Sequence, residues 1–448
     1  MMPASRMRAL AARRARARLP GRSPRRRGRP AGDPSALAWF VRAQAVNTKR
    51  SAAALRPFRL DEFGKGPASP SPAHIQAANQ LLVRLRRPLL AAADKLDPRA
   101  ESGRAGVDSI PRFLSRKQRT LRQIKAIEKV WDFYQELFGQ RLTPFAPWLL
   151  AADRIGLDCY QAVYTGLGAA RSIPAPPPLA YMETGSTPAT YRRGVTLTRL
   201  GKRANPFPVV QLPYHRLINP WTLGAVHHEV SHNLQSDLGL WQEVPRRILG
   251  RLERAGVPRP VAVTWARWHK EMWADLGALL LGGPAIVASL LGVLARSRRT
   301  TQGFNPAGVH PTPYLRTFIS LELLRRMGFS QEAAGFQRLW RRLYPAPERS
   351  TIPRAMLDSF DRANQVVVDT ICFQPYPQLG GRSLAQVTRF TENHQRMTEE
   401  AARRIAAGVD PGIVPARFLV GAARLALDQR LAPPGRITAH FYQALERR

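Results

Sequence analysis

His228 and His232, four residues apart with Glu229 beside the first, constrain this chain more than any other feature. Residues at that spacing share a face on an α-helix, one turn above the other. The segment 219–239, NPWTLGAVHHEVSHNLQSDLG, carries the punctuation of such a helix. Asn219 suits the N-cap, Pro220 the first helical position and Gly239 the stop. On one face, both imidazoles can reach a single ion at about 2.0–2.1 Å. Glu229 then lies within reach of a metal-activated water and can act as its general base. Histidine is rare here, 9 in 448 residues, so the pentad is not a product of composition. His227 points about 100° away around the helix and reads as packing rather than as a ligand.

The His-Glu-x-x-His pattern is that of zinc hydrolases, and the third ligand decides the class. A metzincin would need Gly and then His or Asp at the positions held by Gln235 and Leu238, so that class is excluded. The other solution is a carboxylate from a later helix. In 268–275, WHKEMWAD, Glu271 and Asp275 are four apart and share a helix face. Glu271 can complete a His, His, Glu set for Zn2+ and leave the fourth position for water. Asp275 can accept a hydrogen bond from the free ring N–H of a ligating histidine, which fixes its tautomer. Trp265, Trp268, Met272, Trp273 and Leu276 surround the pair, and a carboxylate in such company needs a partner.

HEVSH followed by EMWAD resembles the gluzincin metallopeptidases. Within them the motif order is similar to the CAAX prenyl-endopeptidase and heat-shock membrane protease group. A third element, His310-Pro311-Thr312-Pro313-Tyr314-Leu315-Arg316, is similar to that group's downstream H-P-x-x-x-x-R segment. The resemblance covers residues 206–316, about a quarter of the chain. It implies a zincin core, zinc-dependent peptide hydrolysis and a peptide or protein substrate. It also implies that His310 stabilises the oxyanion and that Arg316 binds substrate or supports the site. That group carries several membrane spans. Here 276–295 is the one apolar run that raises the question, and Gly282-Gly283-Pro284 interrupts it. It reads as the end of one buried helix and the start of the next; membrane contact stays open.

The expected fold is mainly α (α+β): a zincin-like core with a small β-sheet, flanked by helical N- and C-terminal portions. Helical spacing of apolar residues marks 73–96, 110–138 and 144–168, while 35–60 gives no clear pattern. A linker composition marks 64–72 and a proline-rich break marks 172–178. Residues 193–200 alternate like a strand. Residues 206–214, PFPVVQLPY, read as an extended segment at a sheet edge, because proline cannot donate to a ladder. Ending at Tyr214 and His215 just before the metal helix, it is placed to bind substrate backbone by strand addition. The expected division is a tail over 1–35, a helical portion over 36–175, the catalytic core over 176–330 and a helical portion over 331–448.

Charge raises a second reading. The 69 Lys and Arg against 31 Asp and Glu give +38. Arg greatly outnumbers Lys, as GC-rich codons would produce. The first 33 residues form an Arg-rich stretch without an apolar segment, so they are expected to be a solvated tail and not a secretory signal. A cytoplasmic location follows as an expectation. The alternative function is a basic nucleic-acid-associated protein with a structural or incidental metal site; nucleic acid is otherwise expected only through the tail. Arg246-Arg247 and Arg341-Arg342 read as solvated helix faces. Cys159 and Cys372 cannot build a disulfide framework or a Cys-only zinc site.

Overall fold

The computed structural model describes residues 34–96, 109–168, 171–185 and 187–448. The Arg-rich stretch over 1–33 lies outside the described residues.

The architecture is mainly helical with a small β component. Three helices open it: α1 (Pro34–Ala54), α2 (Pro72–Asp94) and α3 (Ser109–Gly139); α4 (Ala146–Leu167) follows. The first of these runs through the stretch where the sequence showed no pattern. Its Trp39 and Phe40 face solvent, so no apolar stripe marks it. In α3 the buried face is Ile124, Ile127, Val130, Phe133, Tyr134 and Leu137, at three- and four-residue steps.

Five short strands follow: β1 (Leu179–Met182), β2 (Ala189–Tyr191), β3 (Thr196–Leu197), β4 (Arg203–Ala204) and β5 (Val209–Leu212). The three-stranded sheet has the order β1-β5-β2. β5 runs parallel to β1 in the register Leu179↔Val209 and antiparallel to β2 in the register Thr190↔Val210. The extended 206–214 segment is therefore central and not at an edge. Pro206, Pro208 and Pro213 lie outside the four paired residues, so the ladder loses no donor. The strand expected over 193–200 shrinks to β3, which pairs with β4 in a separate hairpin; a 3-10 turn takes Thr198–Leu200.

The outer edge of β1 is covered by side chains. The Gln140 amide exchanges hydrogen bonds with the Met182 backbone at 2.7 and 2.8 Å. Ala180 N donates to Asp153 Oδ1 at 2.7 Å, and Arg141 bridges Asp153 and Ala180 O. β2 forms the opposite edge of the sheet.

The remaining helices are α5 (Tyr214–Ile218), α6 (Gly224–Asp237), α7 (Glu243–Arg254), α8 (Arg259–Arg267), α9 (His269–Gly282), α10 (Pro284–Leu294), α11 (Arg298–Thr301) and α12 (Pro313–Arg326). They continue with α13 (Ser330–Leu343), α14 (Arg354–Asp358), α15 (Phe360–Val368), α16 (Leu384–Val387), α17 (Glu392–Ala407), α18 (Leu419–Asp428) and α19 (Pro434–Glu446). One apolar core draws on side chains from Leu149 of α4 to Leu445 of α19. The 276–295 run splits at Gly283-Pro284 into α9 and α10, both largely buried. No described helix is long and apolar enough to cross a membrane. Trp265, Trp268 and Trp273 are buried in the core, and Cys159 and Cys372 are buried and unpaired.

Candidate metal centre

α6 begins at Gly224, later than the sequence suggested. Pro220–Thr222 forms a 3-10 turn first, and Asn219 uses its amide to bond His215 O instead of capping the helix. The stop is as expected. Gly239 has φ +74°, and Leu240 N bonds back to Gln235 O at 2.9 Å, which closes a Schellman turn.

α6 packs face to face with α9. The contact is close because it uses small residues: a Cβ on Gly277 would stand 3.0 Å from Ser231 Oγ. Trp273 Nε1 donates to Ser231 O at 3.1 Å and fixes the register between the helices. In that register Glu271 of α9 faces His228 and His232 of α6. Among the described residues these three form the one group of metal-ligating side chains whose donor atoms all lie within 4.8 Å of one another. His228 Nε2 and His232 Nε2 are 3.2 Å apart. Glu271 oxygens stand 3.6 Å from His228 Nε2 and 3.7 Å from His232 Nε2. Tetrahedral bonds of 2.0–2.1 Å would separate neighbouring ligand atoms by roughly 3.3–3.4 Å, so this donor set fits one metal ion.

Asp275 lies where the i, i+4 spacing places it, one turn beyond Glu271. Its Oδ1 accepts from His228 Nδ1 at 2.9 Å, which leaves His228 Nε2 to face the other two donors. Arg316, near the start of α12, closes the arrangement from the far side. Its Nε and Nη2 bond Asp275 at 2.5 and 2.8 Å, and Nη2 lies 3.5 Å from Glu271. Of the two roles that the sequence left open, this geometry carries support of the site. The fork of Arg316 lies on carboxylates, so the substrate-binding assignment does not describe its main contact. His310 stands at the mouth, with its exposed ring Nε2 3.4 Å from Glu271 Oε1. His227 points away, as expected, and bonds Arg417 O at 3.0 Å.

The electrostatics follow from burial and these contacts. Burial works to lower the His228 pKa, but the hydrogen bonds to Asp275 and Glu271 override it and push it up to about 10. Burial, with His228 beside it, holds His232 down at about 3, so it stays neutral. Burial lifts Glu229 to about 7; the His228 charge opposes this and Glu271 adds to it. Burial also works against ionisation of Glu271, yet His228 and Arg316 hold it well below the usual carboxylate range.

The centre opens into a cleft of about 720 Å³. One wall is β2, whose Ala189 and Thr190 line it, and not β5. Asn233, one residue past His232, donates to Thr190 Oγ1 at 2.9 Å and so ties this edge strand to the metal helix. Asn233 belongs to no motif and was not singled out from the sequence; its place on a helix buried on nearly every face is a structural fact. Arg192, Trp241 and Lys270 also line the cleft and were not singled out from the sequence.

No protein-family model, no curated protein and no solved structure matches this chain.

Proposed function

We propose that this protein is a zinc-dependent peptidase of the gluzincin type. The reading rests on one observation: His228, His232 and Glu271 converge at tetrahedral spacing beside Glu229, in a cleft lined by an edge strand. Zinc held by these three residues would supply a Lewis acid that polarises a carbonyl and makes water a nucleophile near neutral pH. Glu229, with its pKa lifted to about 7, takes the proton of the attacking water and passes it to the leaving amine. The edge of β2 offers backbone groups to an extended peptide, which would lie across the cleft as an added strand. His310 presents its ring at the mouth, where an N–H can meet the oxyanion that forms at the carbonyl carbon. Arg316 and Asp275 hold Glu271 and His228 in place.

The test is Glu229→Gln. The variant should retain about one zinc per chain and lose peptide hydrolysis by about 10²-fold or more. Full hydrolysis by a zinc-loaded Glu229→Gln protein would remove Glu229 from the mechanism.

A further inference from the structure

Two half-buried cations that line the cleft have no counter-charge among the described residues. Arg192 follows β2, and Lys270 sits in the first turn of α9, one residue before Glu271. Both line the cleft and both are half-buried. Neither touches a carboxylate among the described residues. Half-buried arginines elsewhere find partners: Arg247, Arg251 and Arg326 lie on acids, and Arg267 and Arg382 lie on backbone carbonyls. The acids that share the cleft are Glu229, Glu271 and Asp275, and all three stand at the metal centre.

Arg192 is also held in place. The Arg192 guanidinium carbon lies 3.4 Å from the centroid of the Trp241 ring, which in turn meets His269 edge-on. Stacking fixes the plane of the guanidinium; Nη1 donates to Ser236 Oγ at 3.5 Å, and the other edge donors meet no carboxylate among the described residues. Lys270 sits at the positive end of the α9 dipole, where a cation is disfavoured unless something else uses it. A stacked guanidinium and a half-buried ammonium in one cleft, with no carboxylate on either among the described residues, are an arrangement that an anion completes.

We propose that Arg192 and Lys270 form a carboxylate-recognition subsite, so that the cleft selects peptides with a carboxylate close to the scissile bond. The proposal rests on the peptidase reading. The carboxylate comes from an acidic side chain or from the free C-terminus of the substrate, and the two sources share this chemistry.

The experiment uses the zinc-loaded full chain and one apolar peptide core in three forms: C-terminal amide, free C-terminus, and amide with a single Glu scanned along the core. One carboxylate form should exceed the neutral amide in kcat/KM by about tenfold or more. Preference for the free C-terminus assigns the α-carboxylate, and preference for the Glu form assigns a side chain. The ratio should collapse in Arg192→Gln and in Lys270→Gln, survive in part in Arg192→Lys, and shrink as salt rises. Binding of the same peptides to zinc-loaded Glu229→Gln, by calorimetry, separates the two readings. Preferential binding without wild-type turnover keeps the subsite and removes the peptidase. Turnover of all forms at equal rates overturns the subsite alone, and absence of binding overturns both.

Discussion

At the scale of the residue, a chain of four buried charges organises the site. Arg316 grips Asp275, Asp275 grips His228, and Arg316 also reaches Glu271. Such a chain is stabilising only while complete, because an isolated buried charge is unfavourable by several kcal/mol. Asp275→Asn removes the acceptor charge for both neighbours. It should weaken metal affinity by about 10–100-fold and lower stability by about 3–5 kcal/mol. Competition with a chelator and urea denaturation would check the two effects. The His228 pKa of about 10 has its own consequence. Its pKa is raised, so the ring carries an extra proton at every pH below that value, and a metal must displace it. Metal affinity should therefore fall as pH falls from 10, with about one proton released per ion bound at pH 8. Calorimetry in two buffers of different ionisation enthalpy measures that proton.

At the scale of the element, the site depends on how closely α6 and α9 approach. Gly277 and Ser231 permit the contact. Gly277→Val should separate the helices, lower stability by about 1–3 kcal/mol and draw Glu271 away from the histidines. A loss of metal affinity alongside a lower denaturation midpoint would show both effects. An unchanged midpoint would mean that the contact has slack. The two helices that carry the candidate ligands are legible in the sequence because their chemistry repeats at helical spacing: His228 with His232, and Glu271 with Asp275. The strand assignments fare worse, for a physical reason. Prolines at 206, 208 and 213 argue for an edge, yet a strand of four paired residues can be central when its prolines fall just outside it. The edge position passes to β2, whose three residues carry no alternating pattern. Asn219 likewise has the chemistry of a cap, but the Pro220–Thr222 turn takes the chain past it. Arg316 shows the limit of motif reading, since its position at the site is legible and its partner, Asp275, is a tertiary fact.

At the scale of the whole molecule, one apolar core joins α4 to α19 and includes side chains of α6 and α9. The donors come from two helices, and the supporting arginine comes from a third, α12. A bound ion therefore cross-links elements that are distant in sequence. Free metal at a thousandfold excess over Kd should stabilise the fold by roughly 4 kcal/mol. Chelation should then lower the melting temperature by several degrees. The carboxylate subsite belongs to this scale too, because Arg192, Trp241 and Lys270 come from separate segments that only the fold assembles.

The proposed chemistry requires that His228, His232 and Glu271 hold one metal ion. The most direct measurement is zinc per chain, by elemental mass spectrometry, after dialysis against a weak chelator, for the wild type and for Glu271→Gln. The account predicts about one zinc per wild-type chain and its loss from the variant. A wild-type chain that holds no zinc and takes none up on reconstitution would contradict it, as would a Glu271→Gln chain that retains its zinc in full.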